Sequence, residues 1–228
     1  MRLAVRVGLG LALVISGAPA FAAVIAWTDW TTATGFGGLG SATGTIMLPG
    51  LGPVEVTYSG LVSIPTQTSG GVDYWVPEAT YRSAGVDNAP SSTDVIALDS
   101  SSVLSNTLTF SIPLVDPVMA LLSLGNAGLA VTYSFDVPFD VLSFGPGYWS
   151  LGGPGTLVEL PGNQLQGMEG NGLIQFHGTV SSISWTASPS ESWQGFTVGA
   201  APLPEPTASL LIGTGLLGLA MRRRLRTR

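Results

Sequence analysis

The sequence has 228 residues, no cysteine, one histidine and a formal net charge of −6 at pH 7. Every basic residue is an arginine, and only Arg82 lies between residues 23 and 203, where 13 acidic residues bring the net charge to −12. A domain with one cation cannot neutralise a row of phosphates, so we expect no direct nucleic-acid binding. Without cysteine or lysine, the chain can form no disulfide, thiolate nucleophile or lysine Schiff base.

The first 22 residues have the three-part layout of a secretory signal peptide. Two arginines precede an apolar stretch at residues 7–15, which is too short to span a membrane comfortably. Ala20 and Ala22 then supply small residues at the −3 and −1 positions before Ala23. We therefore predict cleavage by signal peptidase after Ala22 and export of the remaining chain.

The exported part, residues 23–201, is predicted to be one all-β domain. Apolar and polar residues alternate in several segments rich in β-branched and aromatic residues, with Gly and Pro clusters between them. Pro117–Leu124 is apolar throughout and is interpreted as a buried strand, whereas the glycine-rich stretch Gly35–Gly44 is interpreted as a loose loop or an edge strand. The spacing predicts a two-sheet antiparallel sandwich, jelly-roll-like in form. The alternating segments are Pro53–Ser59, Thr107–Pro113, Leu129–Phe135, Leu173–His177, Val180–Thr186 and Trp193–Val198.

Residues 202–228 carry a motif, an apolar segment and a basic cluster, in that order. Pro204, Glu205 and Pro206 form the motif, and 14 apolar or small residues follow at positions 208–221. As a helix these would extend about 21 Å, which is shorter than the roughly 30 Å hydrocarbon core of a bilayer. We predict a short transmembrane helix held with its arginines on the cytoplasmic side. The arginines are Arg222, Arg223, Arg224, Arg226 and Arg228.

This order of features resembles the PEP-CTERM sorting signal of Gram-negative, biofilm-forming bacteria. The resemblance implies that a membrane-embedded exosortase recognises the tail and removes it near the motif. It also implies a chain that is exported through the inner membrane, anchored there transiently by its C-terminal helix and then placed at the cell surface or outside the cell. Partners implied by this route are signal peptidase, the exosortase and an exopolysaccharide of the matrix.

The body after about Asn106 also resembles a recurrent exported β-domain found attached to this tail. The resemblance rests on residues 144–149, on Glu169-Gly170-Asn171-Gly172 and on the closing segments 184–186 and 195–198. It implies the fold and the cellular location of the domain, and it implies no reaction.

Cation binding is one candidate chemistry, because 13 carboxylates and one arginine cannot be matched by ion pairs. Calcium suits carboxylate and carbonyl oxygens on flexible loops and is the one cofactor that we consider. Solvated loop acids remain the alternative. The first candidate loop contains Asp73, Glu78, Asp87 and Asn88, a second contains Asp94 and Asp99, and a third contains Asn163, Glu169 and Asn171.

Sugar binding is a second candidate, because exposed aromatic rings can stack on the apolar faces of sugars. The pairs Tyr74-Trp75 and Tyr148-Trp149 lie in or beside loops, and adjacent strand residues point to opposite faces. We predict Trp75, Tyr148 and Trp149 as stacking residues. Core or rim packing is the alternative for Trp149, as it is for Trp185 and Trp193.

Catalysis is not expected. The only histidine, His177, ends an alternating segment, and no Gly-x-Ser-x-Gly nucleophile motif is present, so His177 is interpreted as a surface or sheet-face residue. A pair of carboxylates for glycoside cleavage stays open, because the sequence alone cannot pair them. We expect a structural or adhesive component of the cell surface or extracellular matrix, with a calcium-assisted carbohydrate-binding module as the alternative and a glycosidase third.

Overall fold

The computed structural model describes residues 22–91, 93–99 and 101–202. The predicted signal peptide up to Phe21 lies outside these ranges. The sorting tail from Leu203 onward also lies outside them, including its Pro-Glu-Pro motif and arginine cluster. Within the described ranges, no helix is long and apolar enough to cross a membrane.

The described chain consists of short strands joined by turns, with one 3-10 helix at Glu78–Tyr81. Apolar residues alternate with polar ones along most strands, which gives each sheet one buried face. The strands are β1 Ala26–Trp27, β2 Asp29–Thr34, β3 Gly38–Leu48, β4 Gly52–Val62, β5 Ile96–Leu98, β6 Asn106–Val115, β7 Val118–Leu124, β8 Val131–Phe135, β9 Phe139–Phe144, β10 Leu157–Leu160, β11 Gln164–Gly167, β12 Gly170–Phe176, β13 Thr179–Ser188 and β14 Gln194–Ala200.

These strands form two antiparallel sheets. One sheet has the order β1-β14-β7-β12-β9, with β5 paired to β14, and the other has the order β10-β11-β8-β13-β6-β4-β3-β2. From β6 to β10 and again from β11 to β14 the chain alternates between the sheets, while β10 and β11 form a hairpin in the larger sheet. The pairs β6 with β13, β7 with β12 and β8 with β11 are nested. The predicted two-sheet antiparallel sandwich is confirmed, and its jelly-roll-like form stays a prediction.

The main core lies between the two sheets and is rich in aromatic residues. The Tyr58 ring contacts Trp185 at 6.0 Å and Phe196 at 5.2 Å between centroids, and Phe196 also meets the edge of Trp30. A second buried cluster, which includes Trp75 and Tyr81, packs on the outer face of the smaller sheet under the loop between β4 and β5. That outer face is therefore covered, which explains why all seven residues of β7 are buried.

All six alternating segments form strands to within two residues at their ends, and Pro117–Leu124 corresponds to the buried strand β7. The interpretation of Gly35–Gly44 is wrong: most of it belongs to β3, which pairs with β2 on one side and β4 on the other. The structure adds strands that the alternation did not indicate, namely β1, β2, β5 and β9 to β11.

Candidate functional site

Four aromatic side chains meet at one end of the sandwich, and we call them the aromatic platform: Tyr74, Tyr148, Trp149 and Trp193. The Trp149 ring lies 5.3 Å from Tyr148 and 5.1 Å from Trp193, and both contacts are edge-on with interplanar angles of 89°. It lies 5.8 Å from Tyr74 at a tilt of 35°. Within the platform Tyr74 is buried, whereas Trp149 and Tyr148 keep 45% and 41% of their surface exposed.

The loop that carries Tyr148 and Trp149 follows β9 and is held by an amide from the neighbouring strand β12. Asn171 is buried, and its Nδ2 donates to the carbonyl oxygens of Leu151 and Glu169 at 3.1 and 2.8 Å. Within the loop, the Gly147 N–H donates to the Leu151 carbonyl. A Cβ on Gly147 would lie 2.3 Å from Asn171 Oδ1, so only glycine allows this close approach.

Neighbouring rings and the fixed loop therefore hold Trp149 in place before any ligand arrives. Three rings pack around Trp149, and 45% of its surface stays exposed. An exposed, preorganised indole presents apolar area at little entropic cost, which suits the C–H face of a sugar ring.

Two carboxylates lie at the same end of the sandwich. Ser123 Oγ donates to Glu169 Oε2 at 3.1 Å, and the Gly125 N–H donates to Glu191 Oε2 at 2.8 Å. The pKa of Glu191 is raised to about 7, mainly by burial and also by the negative charge of Glu169, against the lowering effect of the Gly125 hydrogen bond. Glu169 directly precedes β12, and Glu191 lies two residues before Trp193 of the platform.

The backbone around these acids adopts an uncommon conformation. Ser123 and Glu169 both lie in the left-handed region, with φ of 55° and 56°. The Ser123 N–H donates to Asn171 Oδ1 at 2.8 Å, and the ladder between β12 and β7 is irregular at Gly170/Gly172. Such conformations cost free energy and persist where surrounding contacts fix them, which these hydrogen bonds do.

Of the predicted stacking residues, the structure brings Tyr148 and Trp149 together at the surface. The prediction for Trp75 is wrong, because that ring is 1% exposed and belongs to the core. Its Nε1 donates to the Asp94 carbonyl, and the ring meets Tyr81 edge-on. Trp193 and Glu191 were missed as site residues, although the sequence Glu191-Ser192-Trp193 places an acid beside an aromatic ring and is the local signal that could have indicated them.

The first predicted calcium loop has its polar groups engaged separately. Glu78 forms an ion pair with Arg82 at 2.6 Å, and Asp73 Oδ1 accepts from the Trp75 N–H. Asn88 binds both backbone groups of Ile25 and so ties the first described residues to the body. Asp87 is exposed, and its N–H donates to the Ala23 carbonyl.

The other two predicted loops are also separated in space. Asp94 is buried and accepts from the Trp30 N–H, and Asp99 follows β5 half-buried. Asn163 lies in the turn between β10 and β11, whereas Glu169 precedes β12 and Asn171 lies within β12. Among the described residues, no three His, Cys, Asp or Glu side chains form a group that could hold a metal ion. Calcium binding stays a prediction.

His177 lies at the surface, as predicted, and its Nε2 is 3.3 Å from Asp140 Oδ2. Its backbone N–H donates to the Pro138 carbonyl, which places it after β12, at the end of the sandwich opposite to the platform.

Comparison of the chain with protein-family models, with curated proteins and with solved structures gives no match.

Proposed function

We propose that this chain is an exported, exosortase-sorted protein of the cell surface or extracellular matrix, with an adhesive role that it performs by binding carbohydrate at the aromatic platform. The observation that carries the proposal is the exposed Trp149 ring, held by three aromatic neighbours at the same end of the sandwich as the Glu169 and Glu191 carboxylates. Sugar sites commonly combine an apolar ring, which packs on the C–H face of the sugar, with groups that accept hydrogen bonds from its hydroxyls.

The cellular location is proposed from the sequences of the two chain ends. The signal-peptide layout and the Pro-Glu-Pro tail favour export and sorting, and the resemblance of the body to a recurrent tail-bearing β-domain agrees with them. Fractionation of cells with and without the sorting enzyme tests this part, since unsorted protein should stay with the inner membrane.

Carbohydrate binding is tested by removing the exposed ring. Trp149→Ala should weaken binding to matrix polysaccharide by about tenfold or more in affinity electrophoresis or calorimetry, because a central aromatic contact commonly contributes at least that much. The unfolding temperature should change little, because nearly half of the side chain is exposed.

Phe36→Ala is the matched control, because Phe36 is 52% exposed and lies outside the platform. It should leave binding unchanged. Equal affinities for the Trp149→Ala variant and the original protein would refute the binding role and leave the cellular location standing.

A further inference from the structure

The end of the sandwich opposite to the platform is apolar at the place where the chain leaves the described structure. A shallow groove there is lined by Leu48, Leu51, Ile112–Val115, Ala200 and Ala201. Leu51, Ile112 and Val115 are 37–44% exposed, and Met47 beside them is more exposed still. We call the exposed group Met47, Leu51, Ile112 and Val115 the apolar end patch.

Strand β14 fixes the relation between the two ends. Trp193 of the platform precedes its first residue, and Ala200 and Ala201 of the groove lie at its other end. Seven residues of strand extend about 23 Å, so the platform and the groove lie at opposite ends of the strand. The molecule therefore has an aromatic end and an apolar end.

Both ends of the exported chain leave at the apolar end. Strand β1 pairs antiparallel with β14, with Ala26 opposite Ala200 and Trp27 opposite Gly199. The residues that precede β1 therefore run alongside those that follow β14, and Val24 among them is 61% exposed. Before processing, the predicted signal peptide and the predicted tail helix would be attached at this same end.

Chain length limits how far the bilayer can lie from the patch. Only residues 203–207 separate Pro202 from the apolar segment that begins at Ala208. Even fully extended, this linker spans about 20 Å. An inserted segment therefore keeps the lipid surface within that distance of the end from which the linker emerges.

We propose that the apolar end patch rests on the lipid surface while the tail is inserted, so that the domain stands on the bilayer with its aromatic platform facing outward. The proposal rests on the tail anchorage in the proposed function. The occupant is a lipid surface of low charge, since exposed apolar side chains gain from burial at the headgroup boundary and Asp116, directly after Val115, would be repelled by anionic lipid.

The chain contains no cysteine, which allows single labels to be placed at will. Leu51→Cys places an environment-sensitive fluorophore on the patch, and Leu39→Cys is the matched control on the same β3–β4 hairpin. Both leucines are exposed. Leu39 is nine residue steps along the strand from Leu48 at the patch end, a distance of about 30 Å. A third label at Gly215 reports insertion of the tail segment.

The full chain is reconstituted in nanodiscs of phosphatidylcholine and phosphatidylethanolamine, with nitroxide on a fraction of the headgroups. We expect several-fold stronger quenching at position 51 than at position 39, and strong quenching at position 215. Val115→Asp in the Leu51→Cys background should reduce quenching at position 51 to that at position 39 and leave position 215 unchanged.

Equal quenching at positions 51 and 39 with a quenched label at position 215 would overturn the orientation and leave anchorage intact. An unquenched label at position 215 would overturn the anchorage and the orientation with it. Carbohydrate binding, measured separately with Trp149→Ala, is independent of either outcome.

Discussion

Glu191 shows how the platform end alters the chemistry of a single residue. Its carboxyl group is half-buried, accepts the Gly125 N–H and lies in the field of Glu169, and burial is the main reason that its pKa rises to about 7. At neutral pH the site therefore exchanges a proton easily. Protonation of Glu191 removes one negative charge beside the rings and adds a hydrogen-bond donor.

This shift makes stability depend on pH. The folded protein holds the Glu191 proton more tightly than the unfolded chain does, so the free energy of unfolding falls as pH rises from about 4.5 to about 7. Glu191→Gln cannot ionise but keeps an oxygen for the Gly125 N–H. We expect similar stability for variant and original at pH 5, and a more stable variant at pH 8, in urea unfolding.

The comparison between the two pH values is the control, since any effect of shape appears at both. A stability difference that is the same at pH 5 and pH 8 would show that the ionisation of Glu191 does not oppose folding.

The two aromatic pairs show what local sequence can and cannot tell about a site. Tyr148-Trp149 follows Gly145-Pro146-Gly147, and those turn residues correctly indicate a surface loop. Tyr74-Trp75 also lies in a loop, yet Trp75 is buried by contacts with Tyr81 and the Asp94 carbonyl. A loop that folds back over a sheet forms its own small core, and neither alternation nor turn signals predict the contacts within such a core.

At the level of elements, the packing of β2 against β3 explains a glycine in the larger sheet. The Gly44 Cα lies so close to β2 that an added Cβ would be 2.6 Å from both the Asp29 carbonyl oxygen and Thr28 Cγ2. The ladder between β2 and β3 shifts register at Trp30/Thr32, beside this contact. Glycine there permits close approach in a paired strand.

Gly44→Ala should therefore lower the free energy of unfolding by about 1–3 kcal/mol, as overpacking against fixed backbone does. Gly38→Ala is the control in the same strand, because nothing lies within 4 Å of its added Cβ, and it should stay within about 0.5 kcal/mol of the original. Chemical denaturation measures both. Equal effects of the two substitutions would mean that glycine content, rather than the close contact, determines stability in β3.

The elements that the sequence predicted correctly are those with a regular alternation and a buried face. Strands β4, β6, β8, β13 and the buried β7 carry that signal plainly. Strands β10 and β11 have four residues each, too few for a period to be seen, and β3 is masked by its glycines. The nested order of strand pairs depends on long-range contacts, so only the class of fold was accessible.

At the scale of the whole molecule, the aromatic platform, the chain ends and the charge are all unevenly distributed. The platform lies at one end and the chain exits at the other. Residues 23–203 have 13 acidic residues against Arg82, which is already paired with Glu78. A site on such a polyanion gains nothing from an acidic ligand without added cations. A neutral sugar polymer would not be repelled by these charges.

The charge therefore predicts which polysaccharides bind and under what conditions. Binding to a neutral glucan should be the same with millimolar calcium and with chelator, because stacking on Trp149 needs no cation. Binding to a polyuronate should appear only with calcium, which can bridge carboxylates on the two partners. Co-sedimentation at physiological ionic strength measures both, with Trp149→Ala as the variant that should lose the neutral polymer.

Raising the salt concentration without calcium separates bridging from simple screening. Monovalent salt weakens repulsion but does not link two carboxylates, so it should restore little polyuronate binding. Polyuronate binding that persists in chelator at low salt would contradict the electrostatic argument, since a domain of net charge −12 would then attract a polyanion through some positive surface that the single Arg82 does not provide.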